Sequence, residues 1–352
     1  MRIGIIGAGA IGDKHALAAR EAGVEVARIV DRDLSRAKLL AELHQAAAGD
    51  KADAIWSDDS IDAVVIGVPN CFHKPLAIEA MQAGKDVLLE KPMALNAAEC
   101  DELISVASKT ERVLQIGFVH RYTAVGQAAK EMVESGRLGE IYHAKAQLFM
   151  KRSVPGLGGW FTNKKMSGGG ALIDIGVHLL DLSLHLMGQP TPVSVAGKAY
   201  SMFGRKMRDY VYESMWAGPP NYDGVCDVDD SAHAMITFES GASLDLHVCW
   251  AGNFPDGQLP GSMVGLFGDQ GGLTFELFGD KLQLASEIGG RNADSAIALP
   301  ACDQMVLQMQ AFEEAVAKRA TTTGASPTDG RNVQALVDAI YASSESNQPV
   351  VL

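Results

Sequence analysis

Short β-branched runs alternate with helical stretches through the first third of the chain, and no other feature restricts its fold as strongly. RIGIIG, EVARIVD, AVVIGVP, DVLLEKP and VLQIGF read as strands; AIGDKHALAAREA, LSRAKLLAELHQAA, HKPLAIEAMQAG and AAECDELISVASKT read as the helices between them. Continuously apolar strands separated by helices predict a parallel sheet covered on both faces. Right-handed crossovers then make the segment a doubly wound α/β domain.

The first strand runs into Gly7-Ala8-Gly9-Ala10-Ile11-Gly12, a G-x-G-x-x-G that opens a helix and is followed by an acidic residue, Asp31, at the end of the second strand. This is the context a dinucleotide fingerprint requires. Gly7 permits the tight turn, Gly9 lets the backbone approach a pyrophosphate, and Gly12 lets helix and strand pack closely. The helix N-terminus offers N–H groups and a positive dipole end to phosphate. Asp31 would accept hydrogen bonds from a ribose hydroxyl and repel a 2′-phosphate. NAD is therefore favoured over NADP, with Arg32 and Arg36 able to soften the discrimination.

The pattern changes near Arg121. After the helix TAVGQAAKEMVESG come longer strands: IYHAKAQLF alternates with period two, SAHAMITFESGASLDLHVCWAG reads as a hairpin turning at Ser240-Gly241, and MVGLFGDQGGLTFEL with DKLQLAS reads as another. This half is expected to form a large, open, mainly antiparallel sheet. The helix that begins after Gly170 belongs to this half. Residues 205–230 are irregular and rich in Tyr, Trp, Pro and Gly, and read as a surface loop or insertion. MVLQMQAFEEAVAKR and RNVQALVDAIYASSES are late helices, the last able to pack back on the first domain. Residues 1–121 and 122–352 are the expected domains.

A net charge of −13 argues against nucleic acid and anionic lipid as partners. No apolar run reaches the roughly 18 residues of a membrane span. MRIGIIGAGAIG has one basic residue and an apolar run broken by glycines, so it reads as a folded strand rather than a signal peptide. The five cysteines, Cys71, Cys100, Cys226, Cys249 and Cys302, form no C-x-x-C pair and are odd in number. That favours a reducing compartment, and a cytoplasmic location is expected.

Two stretches carry candidate chemistry. LLEKPMA sets Glu90, Lys91 and Pro92 at the carboxyl end of a parallel strand, where such sheets bind ligands. GGGALIDIGVHLLD, from Gly168 to Asp181, places Asp174 and His178 four residues apart on one helix face, with Asp181 and His185 continuing the stripe. A carboxylate beside an imidazole orients it and stabilises its protonated form, which suits a histidine that takes up a substrate proton. The glycines would let a ligand or another backbone come close. A buried histidine satisfied by its neighbouring aspartate is the plainer reading. Zinc ligation is another, but H-E-x-x-H is missing and no further ligand is evident, so no metal is expected.

Together these motifs resemble the glucose–fructose oxidoreductase/inositol dehydrogenase (Gfo/Idh/MocA) family, from the glycine motif to the C-terminal PVVL. The resemblance implies a Rossmann domain followed by an α/β domain with a large open sheet, a pyridine nucleotide, and a sugar or cyclic polyol substrate. It implies Lys91, Asp174 and His178 as the catalytic set. Pro69, Asn70 and His73 in VPNCFH fit the segment flanking the adenine side of the cofactor pocket, Glu90 a position near the nicotinamide ribose, and Gln115 one close to the nicotinamide. With Gly7, Gly9, Ala10, Ile11, Gly12, Asp31, Arg32 and Lys91, these form the expected cofactor site.

The expected activity is hydride transfer between a secondary hydroxyl of a sugar, anhydrosugar or cyclic polyol and NAD(P), with His178 as general base and Lys91 polarising the oxygen. His120, Arg121, Tyr122, Arg152, Trp160, Asn163 and Lys164 are candidates for binding substrate, alongside Lys91, Asp174 and His178. A redox-assisted glycoside hydrolase that keeps its NAD bound is the alternative, and a non-enzymatic NAD-dependent regulator a more distant one. A homodimer or homotetramer formed through the C-terminal sheet is expected, because an exposed apolar sheet face rarely stays bare.

Overall fold

The computed structural model describes residues 1–209, 217–255, 261–320 and 323–352. The chain forms two compact units: Met1–Val119 with Asp303–Gln334, and His120–Cys302 with Ala335–Leu352. The boundary expected after Arg121 thus falls after Val119, and a late stretch joins the first unit.

In the first unit, β1 (Arg2–Ile6), α1 (Ala10–Glu21), β2 (Glu25–Val30), α2 (Leu34–His44), β3 (Ala47–Gly49), α3 (Asp53–Trp56), β4 (Ala63–Ile66), α4 (His73–Gln82), β5 (Asp86–Glu90), α5 (Ala97–Thr110) and β6 (Leu114–Gly117) follow in order. The strands build a parallel sheet of order β3-β2-β1-β4-β5-β6, so the order reverses between β1 and β4, the switch point at which such sheets bind ligands. Helical periodicity through HQAA would extend α2 too far. Gln45 takes a left-handed conformation that stops the helix, and Ala47–Gly49 pairs with β2 instead. Asp33 starts α2 by accepting from the Ser35 and Arg36 amides, a cap worth about 1 kcal/mol. The late helix α9 (Gln304–Lys318) buries Met309, Phe312 and Ala315 in the same apolar cluster as Ile3, Ile5, Val26 and Ile29. Those apolar side chains account for its place in the first unit rather than the second.

The second unit holds α6 (Ala124–Glu134), β7 (Ile141–Phe149), α7 (Lys164–Ser167), α8 (Val177–Leu186), β8 (Pro192–Tyr200), β9 (Ser231–Phe238), β10 (Ser243–Cys249), β11 (Ser262–Gly268), β12 (Gly271–Phe275), β13 (Lys281–Ile288) and β14 (Arg291–Ala298). It also takes the end of α10 (Pro327–Ser346) and β15 (Val350–Val351). The nine-stranded sheet runs β14-β13-β12-β11-β7-β10-β9-β8-β15 and is antiparallel except for the β7–β10 pair. Gly241, at φ +86°, turns the β9–β10 hairpin where Ser240-Gly241 predicts it. Alternation sends Ala144, Ala146 and Leu148 of β7 and Leu244, Leu246 and Val248 of β10 to the buried face. The opposite side carries His143, His233, His247, Phe149, Phe267 and a half-exposed Met235, the face on which self-association is expected.

The run Lys164–Leu186 has the length and apolarity of a membrane span, contrary to the sequence expectation, but most of it is buried inside the protein. It is also broken at Gly168, φ +85°. Its apolarity serves the core: Leu179, Leu180, Leu182 and Leu186 are fully enclosed.

Candidate functional site

The glycine turn of the first unit is shaped by what surrounds it. Gly7 has φ +108°, and a Cβ there would lie 2.2 Å from the Gly67 carbonyl oxygen. A Cβ on Gly12 would lie 1.9 Å from the Gly7 carbonyl oxygen. Both positions are closed to any side chain. Gly9 differs: nothing lies within 4 Å of its would-be Cβ, and it begins α1 with no side-chain cap. Open space therefore faces an uncapped helix start, the arrangement that accepts phosphate.

Ala10 and Arg32 are exposed and Ile11 half-buried around the turn. Asp31 accepts from the Ala8 amide at 2.8 Å and the Asp33 amide at 2.9 Å. A carboxylate has about four lone-pair directions, so capacity remains for a ribose hydroxyl. The residues present fit a dinucleotide.

At the carboxyl end of β5, Glu90 is buried and its Oε1 lies 2.7 Å from His15 Nε2 of α1. Its Oε2 accepts from the Lys91 amide at 3.2 Å. Burial opposes ionisation of Glu90, but the His15 hydrogen bond and the nearby charge of Lys91 outweigh it and hold the carboxyl below its usual range. Lys91 itself is half-exposed.

His73 is buried, with ring nitrogens 2.7 Å from the Pro92 carbonyl and 2.9 Å from the Val68 carbonyl. It ties the VPN segment to the EKP corner rather than presenting its ring to solvent. Burial pulls its pKa down against those two carbonyls. Pro69 is half-buried and Asn70 buried beside it. Gln115 is not brought into this cluster. It pairs with Leu88, two rungs below the Glu90–Gly117 pair, and its enclosed amide packs against Gly324.

In the second unit the glycine run is crowded by backbone. A Cβ on Gly170 would lie 1.8 Å from the Asp229 carbonyl oxygen, and one on Gly169 2.0 Å from the Tyr341 hydroxyl. Asp229 takes three successive amides: Gly170 N donates to Oδ1 at 2.8 Å, Leu172 N to Oδ2 at 2.9 Å, and Ala171 N to its carbonyl at 3.0 Å. Tyr341 donates to Oδ1 at 2.7 Å. Burial raises the Asp229 carboxyl, and these donors oppose the rise. The end of the stretch read as a surface loop is thus buried and caps the helix; residues 210–216 of that stretch lie outside the described residues.

The helix expected after Gly170 starts as a π-helix over Leu172–Gly176 before α8. Such turns recur at functional sites. Asp174 lies within it, buried, and its Oδ2 accepts from Trp250 Nε1 at 3.1 Å. His178 is half-buried. The His120 ring stands edge-on to it, 4.6 Å between centroids, and Phe278, 70% exposed, is edge-on to His120 at 5.4 Å. His178 thus keeps a partly exposed imidazole beside an aromatic edge, on the helix that carries the buried Asp174 carboxylate.

The stripe continues differently from expectation. Asp181 accepts from Arg121 Nε at 2.9 Å and from the guanidinium NH2 group at 2.6 Å, and both residues are buried. Arg121, expected among the substrate-binding residues, thus directs the Nε and NH2 side of its guanidinium to Asp181. His185 is driven down to about 3 by burial and by the charges of Arg121 and Lys130, and stays neutral. Tyr122 is buried, and burial raises its phenol. Arg152 donates to the Lys151 and Gly252 carbonyls at 2.7 and 2.6 Å and packs over Phe203.

Trp160 stacks on Phe161 at 3.8 Å, Asn163 accepts from the Lys165 amide, and the Lys164 amide donates to Asp227 at 2.7 Å. Thr162 donates to the Val225 carbonyl at 2.7 Å. These contacts clip the GWFTNK segment to the residues just before Asp229. Sequence reasoning missed His15, Asp229, Trp250, Phe278 and Tyr341. Of these only Asp229 left a signal, as half of an acidic doublet just before an apolar strand.

A family model described as an oxidoreductase family with an NAD-binding Rossmann fold matches residues 1–118, and the C-terminal domain model of the same family matches residues 127–284. The chain is 32% identical over 359 aligned residues to the D-glucoside 3-dehydrogenase of Escherichia coli K12, covering 100% of this chain and 97% of that one. It is 27% identical over 258 residues to the levoglucosan dehydrogenase of Pseudarthrobacter phenanthrenivorans, covering 69% and 65%. A solved levoglucosan dehydrogenase in complex with NADH shares the fold, with a TM-score of 0.86 at 23% identity over 100% and 98% of the two chains. With matched models on both halves and one relative alike from end to end, this chain belongs to the Gfo/Idh/MocA family of NAD-binding oxidoreductases.

Proposed function

We propose that this protein is an NAD-dependent dehydrogenase acting on a secondary ring hydroxyl of a glucoside-type sugar, an anhydrosugar or a cyclic polyol. The observation that carries the proposal is the end-to-end likeness to a D-glucoside 3-dehydrogenase. NAD, when bound, supplies the hydride acceptor. His178 takes the hydroxyl proton, its partial exposure leaving the ring within reach of substrate. Asp174, held by the Trp250 indole, keeps a negative charge on the same helix and favours the imidazolium that forms. Lys91 donates to the oxygen as it becomes carbonyl-like. The remaining acceleration comes from orientation and from fixed charge.

The function is tested by NADH production at slightly alkaline pH across monosaccharides, glucosides, anhydrosugars and inositols, with NADP in parallel and with the Asp31→Ala variant. The wild type should reduce NAD in preference to NADP with at least one of these sugars. Asp31→Ala should narrow that preference, and an unchanged ratio would remove Asp31 as the discriminator. Sugar released without accumulation of NADH would favour the redox-assisted hydrolase.

Phe278 supplies the aromatic surface for the sugar. An exposed aromatic face suits the C–H side of a pyranose, and this one stands one ring away from His178. Phe278→Ala should raise KM for the sugar by about 10-fold, equivalent to about 1.4 kcal/mol of lost ring contact, with NADH affinity unaltered; Phe278→Tyr should restore it. Steady-state kinetics showing an unchanged KM would remove Phe278 from the substrate surface.

A further inference from the structure

We propose that His15 and Glu90 form a buried hydrogen-bonded pair that positions Lys91 and keeps a fixed negative charge at the cofactor crevice. The inference rests on Lys91 serving the reaction as proposed above. His15 lies on the helix that opens with the glycine turn, Glu90 at the carboxyl end of β5, and the two are joined at 2.7 Å with His15 fully enclosed.

Room for the pair is made by glycine. A Cβ on Gly117, the cross-strand neighbour of Glu90, would lie 3.1 Å from Glu90 Oε1 and 3.2 Å from its carboxyl carbon. The second carboxylate oxygen receives the Lys91 amide, so the backbone from which the amine departs is held by the same charge. His73 holds the next carbonyl along, that of Pro92. The Lys91-Pro92 corner is therefore pinned on both sides by side chains from α1, β5 and α4.

Hydrogen bonding decides where the proton of the pair resides. Among the described residues His15 Nδ1 has no hydrogen-bond partner. With the Glu90 carboxyl held below its usual range, its oxygens only accept, and His15 Nε2 carries the proton of the shared bond. Glu90 is then the charged member. The groups facing it are His15 from α1, Lys91 from its own corner and His73 from α4. If His15 is removed, burial becomes the dominant influence on Glu90 and the carboxyl takes up a proton at higher pH. A protonated Glu90 loses its hold on the Lys91 amide and the negative charge at the crevice with it.

The test compares His15→Ala, His15→Gln, Glu90→Gln and wild type. The readout is the NAD dissociation constant across pH, measured without sugar and so without proton transfer to His178. His15→Ala should move the acid limb of that curve upward by about 1–3 pH units. His15→Gln, whose amide nitrogen can stand in for Nε2, should bring the limb back. Glu90→Gln should abolish the limb, and adding His15→Ala to it should shift nothing further. Superimposable acid limbs in wild type and His15→Ala would overturn the proposal, as would a wild-type limb surviving in Glu90→Gln. The Glu90→Gln and His15→Gln arms decide the matter if His15→Ala does not fold. The sugar-free titration reads the pair alone, so a Lys91→Ala variant with full turnover would end the role of Lys91 without touching that result.

Discussion

Replacing His178 by alanine is expected to lower kcat on the true sugar by about 10²- to 10⁴-fold, the range of general acid–base assistance, while NAD still binds. The ring sits on α8 of the second unit, and the dinucleotide-type turn belongs to the first. Loss of the base should therefore leave the cofactor dissociation constant within a factor of about two, well under the 1.4 kcal/mol of a tenfold change. The loss should also flatten the pH profile on its acid side, because the group whose deprotonation the reaction awaits is gone. Turnover per bound NAD that stays normal in His178→Ala, with cofactor affinity collapsing instead, would show that the histidine serves the nucleotide.

Arg121→Ala should act on stability and not on substrate affinity. Its guanidinium makes a two-pronged contact to Asp181, whose exposure is 1%. Truncation leaves a carboxylate buried without its counter-charge, a change that costs about 3–5 kcal/mol. At about 2–4 °C per kcal/mol for a unit of this size, the melting temperature should fall by roughly 6–20 °C. Asp181→Asn with Arg121 intact should also destabilise, since the arginine is then the stranded charge. A raised KM with an unchanged melting curve would return Arg121 to the substrate site.

The two halves of the chain were legible to different depths. The parallel strands and α5 stand where their apolar periodicity puts them, because each is a repeat of a few residues. β3 and β14 left little trace: one is only three residues long and follows directly on a helical pattern, and the other exposes most of its side chains. The glycine triplet was correctly legible as a place of close approach, but not for what approaches. Asp229 lies 59 residues on from Gly170, and Tyr341 lies in the last helix. Arg121, Tyr122 and His120 stood side by side as substrate candidates, and all three are buried, yet their side chains part: Arg121 reaches Asp181, His120 meets His178 edge-on, and the Tyr122 phenol is enclosed.

By itself the order of residues determined the doubly wound sheet, the glycine turn with its acidic follower, and the Asp174/His178 spacing, since these depend on neighbours along one strand or one turn of helix. Only the tertiary structure decided that Trp250 holds Asp174 across 76 residues and that His15 answers Glu90 across 75. A buried charge must find its partner wherever the packed chain brings one, and sequence distance carries no record of that choice.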